Sequence, residues 1–237
     1  MWPAVRAGQR ANRLSCGHPC ARKLPMYLPA HFEETRPEVL HRLVSEQPLA
    51  TWVVQSGAGL LVNHIPFLLD AGRGPHGTLV GHVARANPVW QSLGPSVAVF
   101  QGPQAYISPS WYPSKRAHGK VVPTWNYAVV HAHGTPRAIE SHDAVLAIVT
   151  RLTQAHEGGS AVPWSVTDAP ADFIDQMLKA IVGIGIPIER WVGKWKVSQN
   201  RSVPDRLGTV AGLQHRADPE SLAMAALVPT EAGKAQG

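Results

Sequence analysis

Cysteine is almost absent: the 237-residue chain holds two, Cys16 and Cys20, and none after them. Everything from Met26 onward is therefore built without disulfides or thiol chemistry. The pair flanks Gly17-His18-Pro19, but a structural zinc site needs four ligands and no second cysteine pair follows. Long apolar runs are missing too, and without about 18 consecutive apolar residues no conventional membrane-spanning helix is expected. Acids are missing from the first 25 positions, which carry Arg6, Arg10, Arg13, Arg22 and Lys23. Removing those five charges from the formal net charge of +6 leaves +1, so the rest of the chain lacks the basic footprint of a strong nucleic-acid binder. A P-loop, a nucleophile elbow and a dinucleotide-binding GxGxxG are also lacking, and Gly72-Arg73-Gly74 is only a turn.

The first 25 residues show no periodicity and no secretory apolar core. They hold arginines without acids, as transit peptides do, but are neither Ser-rich nor clearly amphipathic. They are read as a disordered extension, or as the product of a start assigned upstream of Met26. One soluble, cytoplasmic α+β domain is expected over residues 26–213, followed by an Ala-rich tail over 214–237 that frays.

Within the domain, Thr35 to Glu38 reads as a capping box with Pro37 at the first helical position, and Val39, Leu40, Leu43 and Val44 continue at helical spacing. Two β-rich runs over 49–56 and 60–70, separated by Gly57-Ala58-Gly59, predict a hairpin, with Pro66 marking an edge strand, a bulge or a ligand-serving backbone. TLVGHVA and SVAVFQG predict two further strands, with Asn87 capping a short helix between them. The stretch QAYISPSWYPSKRAHGK predicts a long loop, and residues 121–140 one long strand or a bent pair. Helices follow Ser141 and Pro170, and GIGIPIERWVGKWKV returns to period two as a final strand.

Several strings occur in a fixed order: MYLPAHF, NHIPFLLD, GHVARANPVW, FQGPQAYISPSWYPSK, VPTWNY and KWKVSQNR. With these the chain resembles the PaiB-type family of FMN-binding negative transcriptional regulators, from Met26 to about Leu213. The resemblance implies an FMN-binding split β-barrel with flanking helices, related to pyridoxamine phosphate oxidases and flavin reductases. It also implies a homodimer with FMN at the subunit interface, and operator DNA as a partner; an FMN-dependent oxidoreductase is the alternative.

Under that resemblance the motifs acquire candidate roles. Arg85 at a strand exit, beside a helix start capped by Asn87, is a phosphate site in kind, or else a surface arginine capping a turn. His82 on the same strand either bonds the phosphate or fills the barrel wall. Asn63 and His64 would meet the flavin's polar edge and Ile65 and Pro66 its flat face, unless the Asn-His pair faces solvent. Trp111, Tyr112, Lys115, Trp125 and Tyr127 interleave aromatics with a cation, as a stacking surface, a core or a dimer interface does. Of these, Lys115 and Trp125 are candidate cofactor contacts. Alternation in KWKVSQN sets Lys194, Lys196 and Ser198 on one face and Trp195 and Val197 on the other, with Gln199 and Asn200 shaping the turn. His131 and His133 have strand metal spacing but no third ligand, so no metal is expected.

Overall fold

The computed structural model describes residues 26–231. A two-residue strand β1 (Glu33–Glu34) leads into helix α1 (Pro37–Glu46), whose N-cap is Arg36. The expected capping box does not form: Glu34 instead takes the Arg36 backbone N–H at 2.9 Å and its Nε at 2.8 Å. Strands β2 (Leu49–Ser56) and β3 (Gly59–Pro66) make the predicted hairpin, closed by the two residues Gly57 and Ala58. Pro66 ends β3, which is an edge strand, so its missing N–H costs no ladder bond.

At Phe67 the chain leaves this sheet for a second one, through β4 (Leu68–Asp70) and β5 (Thr78–Ala84). It returns in β6 (Ser96–Ile107), and β7 (Thr124–Gly134) pairs back along it. The stretch predicted as a long loop splits. Its first four residues extend β6, and Pro113–His118 forms helix α2. Their aromatics had masked a strand alternation that resumes after the shift in register between Gln101 and Gln104.

The bent pair is observed: β8 (Arg137–Ile139) lies in the second sheet. Gly134 stands at this crossing, where a Cβ would collide with the carbonyl of Pro187. Helices α3 (His142–Glu157) and α4 (Ala171–Lys179) follow. The expected final strand is two strands, β9 (Ile181–Pro187) in the second sheet and β10 (Arg190–Lys196) in the first. Ile188-Glu189 turns the chain between sheets, which period-two reading cannot register because alternation continues on both sides.

The larger sheet runs β1-β10-β7-β6-β2-β3 and the smaller β4-β5-β9-β8, with all pairs antiparallel. Their facing sides enclose the main core, in which Trp52, Phe67, Phe100, Leu79, Ile184 and Ile186 are fully buried. Each such side chain stabilises by ~1.5–3 kcal/mol. Helix α3 covers the back of the small sheet through Ile148 and Leu152 against Val80. Helices α5 (Val203–Arg216) and α6 (Pro219–Leu227) close one end against Ile107 and Tyr112. The tail therefore does not fray through residue 227, because Met224 and Ala225 are buried.

Candidate functional site

Among the described residues no α-helix packs on the back of the large sheet. Direct antiparallel partners share a face, so Pro66, His64, Val62 and Leu60 of β3 lie beside Leu49, Thr51, Val53 and Gln55 of β2. The same face continues through Val97 and Val99 of β6, then Tyr127, His131 and His133 of β7 and Arg190, Lys194 and Lys196 of β10. Leu49, Leu60, Val62 and Trp125 are more than half exposed on it. Large apolar side chains left this open on a sheet mark a binding surface.

At the β3 edge, alternation separates four residues grouped by sequence. His64 and Pro66 belong to the bare face, and Thr51 Oγ1 lies 3.3 Å from His64 Nδ1. Ile65 points the other way, away from the bare face, and is buried in the core. Asn63 shares the Ile65 side, and its Oδ1 accepts from Asn87 Nδ2 at 2.7 Å. Asn87 Oδ1 in turn accepts from Val89 N at 3.0 Å, the predicted cap on the short helix Pro88–Gln91. The Asn63 amide nitrogen has no partner among the described residues and remains a donor.

Arg85 is anchored from four sides. Nε donates to Lys179 O at 2.9 Å, one terminal nitrogen to Ile181 O at 3.2 Å and the other to Glu140 Oε2 at 3.0 Å. Its guanidinium also stands 5.6 Å from the Trp90 ring centroid. It thus caps the C-terminal end of α4 and holds one anionic oxygen. His82 shares the Val80 side of β5, under α3, where burial holds its imidazole below the ordinary histidine range and leaves Nδ1 unpartnered.

The second group gathers four strands away, around β10. Lys194 is buried, donates to Tyr27 O at 2.9 Å and lies between the Tyr27 and Tyr127 rings. Lys196 donates to Trp125 O at 2.8 Å and to Thr124. Burial first, then Lys194 and Arg201, hold the Lys196 ammonium below its ordinary pKa. No salt bridge among the described residues compensates Lys194, Lys196 or Arg201. Uncompensated cations of this density favour an anion.

Ser198 departs from the predicted strip. Its φ of 64° breaks the alternation, and its hydroxyl accepts from buried Asn126 Nδ2 at 2.9 Å on the core side. Gln199 shapes the turn as expected, its Oε1 accepting from Val197 N at 2.8 Å. Lys115 stands apart on α2, donating to Ser110 Oγ at 3.1 Å. Trp125 packs edge-on to Tyr106 at 6.1 Å, with more than half its surface open. Sequence reasoning passed over Glu140, Trp90, Arg201 and Asn126. Trp90, Asn126 and Arg201 lay within quoted strings, whereas Glu140 is brought to Arg85 only by tertiary contact.

Among the described residues no three His, Cys, Asp or Glu side chains group as a metal site, and no helix is long and apolar enough to cross a membrane. Burial, Arg190 and His131 push His133 down to about 4, and its Nε2 is buried without a partner among the described residues. Both histidines of this pair are neutral at physiological pH.

Residues 26–190 match the family described as "Putative FMN-binding domain". The chain is 31% identical over 206 residues to Protease synthase and sporulation protein PAI 2 of Bacillus subtilis, covering 86% of this chain and 96% of that one. An uncharacterized protein of Emericella nidulans is 32% identical over 228 residues, with 80% of this chain and 91% of its own covered. In three dimensions the fold is similar to the FAD and heme binding protein from Mycobacterium smegmatis, at a TM-score of 0.50 and 19% identity over 69% of this chain and 73% of that one. The two antiparallel sheets with flanking helices are a flavin-binding split β-barrel. The family match over most of its length and the PAI 2 likeness agree with the motifs: the chain belongs to the PaiB-like FMN-binding family, and its cofactor is FMN.

Proposed function

We propose that this chain is a cytoplasmic homodimer that holds FMN between the bare faces of two large sheets and acts as a negative transcriptional regulator. One observation carries the reading: a bare, partly apolar face with polar groups at opposite edges that cannot meet within one chain. Four strand spacings of ~4.8 Å separate β3 from β10, or ~19 Å. A two-fold axis through this face brings the β3 edge of one protomer toward the β10 edge of its partner.

The residues fit the cofactor. His64 and Pro66 stand on the bare face, and Asn63, turned to the other side of the same edge strand, keeps an amide donor for a polar ring edge. Lys194, Lys196 and Arg201 form a cation group with no salt bridge among the described residues, whereas Arg85 already holds a carboxylate. Bound FMN supplies hydride and electron exchange, while the protein binds and orients it. Around it, neutral His131 and His133 are able to accept or return a proton.

The test joins absorption to mass. The purified chain should show bands near ~370 and ~450 nm, a property of oxidised flavin, and scatter light as twice the chain mass. A monomer that binds FMN at full strength overturns the interface. Regulation is tested by deleting the gene, which should raise a set of transcripts.

Charge balance favours a second reading, an FMN-dependent oxidoreductase. Setting aside the five cations before Met26 and also Lys234, sixteen basic residues face sixteen acids. A neutral domain is a poor direct operator binder. Turnover of NADH or NADPH by the flavin-loaded protein separates this reading from regulation.

A further inference from the structure

We propose that the cleft along the open edge of β10 binds an amphipathic organic cation, an amine carried on an apolar body. The inference is independent of the flavin reading. Strand β1 pairs with β10 only at Glu33 opposite Lys194 and Glu34 opposite Gly193. Among the described residues Arg190, Trp191 and Val192 therefore have no strand neighbour on that side, and a cleft of about 480 Å³ opens there, walled by the start of α1 and by Ala71, Pro75 and His76.

The cleft is apolar at its base and acidic at its rim. Leu40 and Val192 are buried beneath it. The Trp191 indole is fixed by its Nε1–H bond to His76 O at 3.0 Å, and the His41 ring lies 5.7 Å from it. An indole held in this way accepts an apolar body and attracts a cation.

Three carboxylates face one guanidinium, that of Arg190, on the lining. Glu34 is spent on Arg36, which holds its carboxyl below the usual range. Glu189 is fixed through one oxygen, which accepts from Thr135 N at 3.1 Å and Thr135 Oγ1 at 3.0 Å, so its other oxygen is available. The Glu33 carboxylate makes no hydrogen bond among the described residues, and Lys194 opposite it donates to Tyr27 O instead. An anionic ligand would be repelled here, and an uncharged one would leave both carboxylates unused.

The experiment is calorimetric titration of the full chain with phenethylamine, 2-phenylethanol and 3-phenylpropionate, three probes of similar shape and different charge. Phenethylamine should bind with a Kd of about 0.1–1 mM, the alcohol about tenfold more weakly, and the acid not measurably. Glu33→Gln and Glu189→Gln should each cost the amine about fivefold to tenfold and leave the alcohol unchanged. The glutamine at 189 keeps the acceptor for Thr135, so loss of folding does not confound the result. Saturating FMN should leave the amine's affinity intact. Equal affinities for amine and alcohol, unaltered amine binding in both variants, no binding, or displacement by FMN each overturns the assignment.

Discussion

Asn87 joins two elements that are 24 residues apart in the chain: its Nδ2 donates to Asn63 Oδ1 at 2.7 Å while its Oδ1 accepts from Val89 N at 3.0 Å. One amide thus ties the edge strand β3 to the turn after β5. Loss of an N-cap costs ~1 kcal/mol and loss of a partly buried hydrogen bond ~1 kcal/mol. Asn87→Ala should therefore destabilise by about 2 kcal/mol in urea unfolding. Asn87→Asp keeps the cap, and Asn63 can rotate its amide to donate, so it should stay within ~0.5 kcal/mol of the parent. If the two variants fall equally, the bond to Asn63 carries the stability and the cap carries little.

Asn87 also shows what the sequence makes legible. Its cap is local, set by Asn-Pro before an apolar pair, and the structure has it as predicted. Helix α1 was equally legible from Pro37 and the spacing of Leu40, Leu43 and Val44. The sheet crossings at Phe67 and Glu189 were not, because a strand that changes sheets keeps its alternation, and the one at Gly134 was legible only as a bend. Ser198 was misplaced because it lies beyond the end of β10 at Lys196, where its own left-handed backbone breaks the alternation. The aromatic stretch 104–120 was read as a loop because Pro and Ser there punctuate short helices rather than irregular chain.

Arg85 holds Glu140 Oε2 at 3.0 Å on a partly exposed surface, the arrangement an incoming phosphate would compete with. A charge-assisted contact is worth ~1.5–3 kcal/mol, so Arg85→Ala should weaken FMN binding by roughly 10- to 150-fold. Riboflavin, which lacks the phosphate, should not respond beyond any loss of folded protein. Glu140→Gln removes the internal competitor and should tighten FMN severalfold. If FMN and riboflavin weaken together, Arg85 serves only to cap α4 at Lys179 and Ile181.

Three histidines make the fold acid-sensitive. His82, His131 and His133 all have pKa values depressed chiefly by burial, His133 to about 4 from 6.5. The unfolded chain therefore takes up protons near pH 6.5, before the folded one does. Their contribution is complete above that value and is lost as pH falls toward 4. Urea midpoints should drop steadily between pH 7 and pH 4.5, with His133→Gln shallower over that interval than the parent. An unchanged slope in His133→Gln would place the acid sensitivity at His82 and His131.

Leu60 and Val62 alternate with core-facing Leu61 on the outer edge strand, 66% and 57% exposed. Nothing among the described residues covers these two large aliphatic side chains beside Val53. Because they are already exposed, replacing them costs an isolated barrel little, usually within ~0.5 kcal/mol. The double variant Leu60→Lys, Val62→Lys should therefore keep its monomer fold. At a two-fold interface, however, like charges from both copies would be buried together, at a cost of several kcal/mol. Light scattering should then report a single chain mass where the parent reports two. FMN affinity should fall with it, since His64 and Pro66 on the bare face of β3 would no longer stand opposite the partner's β10. A dimer that survives both lysines moves the interface elsewhere, and a monomer with parental FMN affinity shows that one chain holds the cofactor alone.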